Sequence, residues 1–179
     1  MTTIIDAQRE MRIHFGGTFY AQLVSGLIWL ASAALATWST PRAAITTIVV
    51  GGMFIFPATE LLRRLAGRPR SLSPGNSLNS LGMQVAFVLP LSMPLLLPVA
   101  LYRLTWFFPG LMILVGAHYL PFVFLYGMRM FWFLGALLAG GGLLIARYLP
   151  GSFSAGAWYT GLVLLVFAFI GRATLRSES

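Results

Sequence analysis

The amino-acid sequence predicts an all-α, polytopic transmembrane bundle of about six helices with both termini in the cytoplasm. Three observations predict it. Hydrophobic residues make up 58% of the 179-residue chain and charged residues only 9%, where a soluble domain carries about 25%. Apolar runs recur at close to the ~20 residues that an α-helix needs to cross a ~30 Å hydrocarbon core. Arginines separate those runs and divide unevenly between the two faces that six crossings create.

The elements follow in order. Residues 1–17 hold Asp6, Arg9, Glu10 and Arg12 and read as a cytoplasmic N-terminal segment, with no small-residue cleavage site after a short apolar stretch. Residues 18–172 read as one six-helix domain, and 173–179 as a cytoplasmic tail. The first span runs from Thr18 to Trp38. Pro41 and Arg42 make the turn into the second, Ala43 to Leu62, which Glu60 interrupts late. Residues 63–79, rich in Arg, Pro, Gly and Ser, read as a cytoplasmic loop, with Asn79 or Ser80 capping the next helix. The third span runs from Ser80 to Tyr102 and ends at Arg103. The fourth, Trp106 to Gly127, contains His118. The fifth runs from Met130 to Ala146 and the sixth from Gly156 to Gly171. The runs are apolar on all sides, whereas barrel strands alternate.

Six spans place Arg9, Arg12, Arg63, Arg64, Arg68, Arg70, Arg129, Arg172 and Arg176 on one side, and Arg42, Arg103 and Arg147 on the other. Cationic loops favour the cytoplasm. Trp38, Trp106 and Trp158 fall at the opposite ends of the three helical hairpins, where indole rings favour the interface.

Composition narrows function. All twelve basic residues are Arg, and the net charge is +8. A nucleic-acid surface would cluster them on one face. Here they punctuate apolar runs, so the expected partners are membrane lipids and not nucleic acid. There are no cysteines, which excludes disulfides and thiolate-ligated metals. The spans carry no HExxH, no nucleophile elbow and no paired carboxylates. No catalytic residue, metal or cofactor is predicted.

Polar and proline positions inside the spans supply the candidates. His118 is the ionisable group deepest in a span, and such residues mark ligand or proton pathways; the alternative is a neutral imidazole bonded to a neighbouring helix, near the Ala117 carbonyl. Tyr119 sits beside it. Glu60 is either an acceptor facing a cytoplasmic vestibule or the partner of Arg63 and Arg64 at i+3 and i+4. Gln84, one turn into the third span, lies at comparable depth. Pro57 and Pro121 follow a glycine by five residues in Gly52–Pro57 and Gly116–Pro121. Each removes a helix hydrogen bond and frees a carbonyl, of Met53 and of Ala117. That device builds transport sites in discontinuous helices, and it also makes plain packing kinks. Pro90, Pro94 and Pro98 predict a bent third span. Small residues from Gly135 to Ala146, with Gly156 and Gly161, allow close helix approach, within the bundle or in a homo-oligomer through spans five and six.

Gly-Gly-Met-Phe-Ile-Phe-Pro at 51–57, Leu-Ser-Pro-Gly-Asn-Ser-Leu-Asn-Ser-Leu-Gly at 72–82 and Gly-Ala-His-Tyr-Leu-Pro-Phe at 116–122 resemble a family of small bacterial multi-span membrane proteins of unknown function. The resemblance implies a setting in the bacterial inner membrane and carries over no catalytic residue. Two functions compete: a bundle that binds or transports a small or amphipathic molecule, and a scaffold or accessory subunit with no ligand of its own. A lipid-modifying enzyme using His118 or Glu60 is a third, weaker reading.

Overall fold

A computed structural model describes residues 3–67 and 72–177, the last two of these in backbone only. Arg68, Arg70 and the side chain of Arg176, assigned above to the arginine-rich side, lie outside the described residues. The described residues are 86% helix, with no strand among them. Six helical stretches are long and apolar enough to cross a membrane.

Helix α1 (Ile4–Phe15) opens the chain. Thr3 and Asp6 cap it reciprocally: the Thr3 hydroxyl accepts from the Asp6 amide, and the Asp6 carboxylate accepts from the Thr3 amide at 3.2 Å. This capping box satisfies two donors that a helix start leaves free. At 12 residues α1 is about 18 Å long, too short to cross a hydrocarbon core. Ala7, Met11 and His14 share one face and are buried. The N-terminal segment is thus a docked helix, beyond what the sequence reading assigned to it.

A left-handed turn separates α1 from α2 (Phe19–Trp38). Gly16, Gly17 and Thr18 all have φ between 61° and 67°. Glycine adopts that region freely; threonine there costs on the order of 1–2 kcal/mol. Thr40 caps α3 (Pro41–Leu65), accepting from the Ala43 amide at 3.1 Å, with Pro41 in the first turn. Helix α3 therefore runs past the expected Leu62 end and takes Arg63 and Arg64, assigned above to the loop, into its last turn.

The third span is bent as the prolines predict. It comprises α4 (Leu78–Ser92), a tight turn at Met93–Leu95, and α5 (Leu96–Tyr102). Ser77 precedes α4, and the Leu78 amide donates to the Asn76 side chain at 3.0 Å, so neither Asn79 nor Ser80 caps it. The fourth span divides at Pro121 into α6 (Phe107–Tyr119) and α7 (Phe122–Tyr126). Then follow α8 (Met130–Tyr148) and α9 (Ala155–Ser177).

The most extensive pairings are α2 with α9, α6 with α8 and α2 with α3. Close approach at glycine underlies the second: a Cβ on Gly116 would lie 2.7 Å from backbone atoms of Gly135 and Ala139. Gly135, Gly142 and Gly161 likewise face other helices of the same chain. The two flanking spans differ. Only 6% of the apolar stretch of α3 is buried, and 11% of that of α4–α5, against 44% for α6–α7. Met53, Phe54, Phe56, Phe87, Leu91 and Leu95 stand out on them, each more than half exposed. Water would not tolerate so large an apolar face on a lone chain.

Candidate functional site

One end of the bundle, the end bearing α1, gathers His14, Thr18, Gln22, Thr59 and Arg63, all of them buried. They form two layers about one helical turn apart, since Gln22 follows Thr18 by four residues, or about 6 Å.

The outer layer centres on Arg63, whose side chain is 2% exposed. A buried guanidinium needs several acceptors. Arg63 finds Glu60, with Nε and Nη2 each 3.1 Å from Oε2, and it donates to the His14 carbonyl at the close of α1. Its charge also lies 5.5 Å from the centre of the Phe15 ring. Glu60 holds Arg64 as well, at 2.7 Å. Around this group, the hydroxyls of Thr18 and Thr59 and Nδ1 of His14 are buried without hydrogen-bond partners.

The inner layer centres on Gln22, which is wholly buried. Neither its oxygen nor its nitrogen has a hydrogen-bond partner. The Tyr119 hydroxyl approaches it without reaching hydrogen-bond geometry. Tyr119 stacks parallel to Phe131 at 6.0 Å and packs edge-on to Phe122 at 5.2 Å. Phe122 and Tyr126 extend this aromatic wall toward Phe15. A buried amide lacking both partners forfeits about 1–3 kcal/mol for each group. The arrangement thus offers one donor and one acceptor, side by side, within an apolar shell.

The predicted positions divide. Tyr119 belongs to the inner layer and Glu60 to the outer. His118 is partly buried and its ring lies near the Val85 backbone of α4; its Nδ1 has no hydrogen-bond partner. The Ala117 carbonyl, expected to be free, accepts from the Leu120 amide at 3.2 Å in a tightened turn. Gln84, Pro57 and Pro121 are exposed and join neither layer. Pro57 leaves α3 continuous, whereas Pro121 breaks its span in two. Gln22, Thr18 and Thr59 were not among the candidates, because a neutral polar residue in a span usually bonds locally and its spacing carries no further signal. The available signal was Gln22 itself, the one side-chain amide in the first span. Among the described residues, no three His, Asp or Glu side chains converge as metal ligands.

Helix α1 crosses beneath the outer layer. Its inward face meets α3 through His14, α4 through Met11 beside Gly82, and α7 through Gln8 and Arg12. The opposite end is closed by aromatic pairs: Trp38 packs on Trp158 at 5.8 Å, and the Trp158 indole donates to Thr37 at 3.0 Å.

No curated protein and no solved structure shows a match to the chain. Residues 4–173 match a family of unknown function, DUF7010. The match spans nearly the whole helical bundle, and the chain belongs to that family.

Proposed function

We propose that this protein is a bacterial inner-membrane protein that binds or transports a small or amphipathic molecule, and that the Gln22–Tyr119 layer holds the polar end of that molecule. The observation that carries the reading is the Gln22 amide, fully buried with both polar atoms unpartnered. Its chemistry favours an uncharged head with a donor and an acceptor, such as a hydroxyl or amide, because Gln22 and Tyr119 are themselves neutral. The nearest cation, Arg63, is already held by Glu60 and the His14 carbonyl. The aromatic wall of Tyr119, Phe122 and Phe131 suits an apolar remainder.

The test compares a monoacylglycerol with the fatty acid of equal chain length, on purified protein in lipid nanodiscs. The neutral probe is expected to raise the melting temperature of wild type but not of Gln22→Leu. Equal shifts in both proteins refute the site. Flux of the same probe into liposomes separates transport from binding, and His118→Ala reports on that residue's part in it.

Membrane setting and orientation are supported by the six apolar helices and the family resemblance. Arginine placement adds to this: Arg9, Arg12, Arg63, Arg64, Arg129 and Arg172 occupy the α1 end, against Arg42, Arg103 and Arg147. Cysteine labelling from either side of the membrane tests the assignment of the α1 end to the cytoplasm.

One observation favours the second reading, a scaffold or accessory subunit. Helices α3 and α4–α5 are nearly bare, and Gly140 and Gly141 line a shallow apolar groove of about 260 Å³ on α8. Partner helices, or a second copy, would cover such faces. Crosslinking in native membranes that recovers a stoichiometric partner supports this reading over the first.

A further inference from the structure

We infer that α1 is a hinged lid over the buried polar layers, closed in this structure and able to open as a unit about Gly16–Thr18. The inference rests on the binding site proposed above and assigns its access route.

Three observations carry it. The first is the latch. Helix α1 is fastened across the end of the bundle mostly by polar bonds, and these reach segments far away in sequence. The Glu10 carboxylate accepts from the Ser73 hydroxyl and from the Asn76 amide nitrogen, both at 2.8 Å. The same Asn76 nitrogen donates to the Ala7 carbonyl at 3.1 Å. Gln8 donates to the Phe124 carbonyl at 2.6 Å, and Arg12 to the Tyr126 carbonyl at 2.7 Å. Polar bonds near the water boundary can be exchanged for bonds to water at a smaller net cost than buried apolar contacts. Only Ala7, Met11 and His14 are buried from α1, so little apolar area opposes its release.

The second is the hinge. Three successive left-handed residues interrupt the right-handed helix between α1 and α2, and the turn is closed by the Phe19 amide donating to the Gly16 carbonyl. The turn is anchored on its far side: a Cβ on Gly17 would lie 2.8 Å from the Gly171 carbonyl of α9. A fixed pivot with a short arm favours rotation of α1 over movement of α2.

The third is what lies beneath. The unpartnered Thr59 hydroxyl and, deeper in the bundle, the unpartnered Gln22 amide lie at the end that α1 crosses. Sealed from water they are a liability; exposed to a polar ligand or to water they are satisfied. Opening α1 uncovers the outer layer first.

The chain has no cysteine, so a single reporter can be read cleanly. Thr59→Cys is placed in wild type and in Glu10→Gln/Arg12→Gln, and labelled with a water-soluble maleimide without any ligand present. The expected result is slow labelling in the first and at least tenfold faster labelling in the second. Leu164→Cys, buried in α9, should stay slow in both. Equal Thr59→Cys rates overturn the lid, and so does acceleration of both reporters together, which means general loosening. Hydrogen exchange on wild type needs no variant: residues 4–15 should exchange together and well before α2. Exchange of α1 only with α2 also overturns it. These readouts use no probe molecule, so a failed lid leaves the Gln22→Leu binding test intact. A failed binding test likewise leaves the lid measurable.

Discussion

The central helices α2, α6, α8 and α9 and the flanking helices α3 and α4–α5 are built from equally apolar sequence, yet they are held in different ways. The centre is fixed by glycine contacts and interlocked aromatic rings. The flanks pack chiefly on one central helix each, α3 on α2 and α4–α5 on α6, and present Phe, Leu and Met outward. In water that contrast would be untenable. In a bilayer it follows from solvent: hydrocarbon covers an apolar side chain as well as protein does, so burial no longer reports importance. Steric fit and polar satisfaction report it instead.

Five measurements break or sharpen the comparison. The largest effect is expected from Gly116→Leu. Even a Cβ there meets backbone at 2.7 Å, so a full side chain should separate α6 from α8 and abolish recovery of folded protein in detergent. Next is Arg63→Ala, which removes charge-assisted bonds worth about 1.5–3 kcal/mol each. Glu60 keeps Arg64, so the loss should stay near the lower figure and appear as a lower melting temperature. Gln22→Leu should shift stability the other way, upward by about 1–3 kcal/mol, because it deletes unpartnered buried polar atoms. A destabilised Gln22→Leu would mean the amide is satisfied by water. Gly52→Ala, on the bare face of α3 with nothing within 4 Å, should stabilise by about 0.5–1 kcal/mol through helix propensity alone.

The smallest effect is in pH. The Ser73 amide, then the Asn76 and Ser73 side chains, hold the Glu10 carboxyl below the usual carboxylate range. Burial, then the nearby Arg63 charge, lowers His14, while Glu60 and Glu10 oppose the shift. Both folded values are depressed, so both groups stabilise docked α1 above their unfolded values, 4.5 and 6.5. That contribution is lost as pH falls through the folded values. Exchange of α1 amides, corrected for intrinsic rates, should therefore quicken progressively below pH 6.5. A flat profile excludes both groups from the latch.

Much of this was legible in the sequence. Bilayer thickness sets span length, so the arginine spacing located all six helices to within a few residues, and three prolines announced the bent third span. The site was only partly legible. Glu60 with Arg63 and Arg64 followed from helical spacing, but the burial of Arg63 did not, because its acceptor is a backbone carbonyl 49 residues away. The Gly16–Gly17 pair was visible, while its left-handed path and its contact with Gly171 depend on packing at long range. The matched Gly-to-Pro stretches diverge: Pro57 sits in an unbroken exposed helix, and Pro121 divides its span into two helices. The same local chemistry meets different neighbours.

The pairing of α2 with α9 bears on how the protein is made. Helix α2 leaves the ribosome well before its principal partner, α9. Until α9 is made, α2 has α3 and its aromatic contact with α6 beside it, and the Gly16–Thr18 pivot has no Gly171 to rest against. Insertion can proceed helix by helix, but consolidation waits for α9, and a chain that stops before it should be cleared by membrane proteases as an unfinished product.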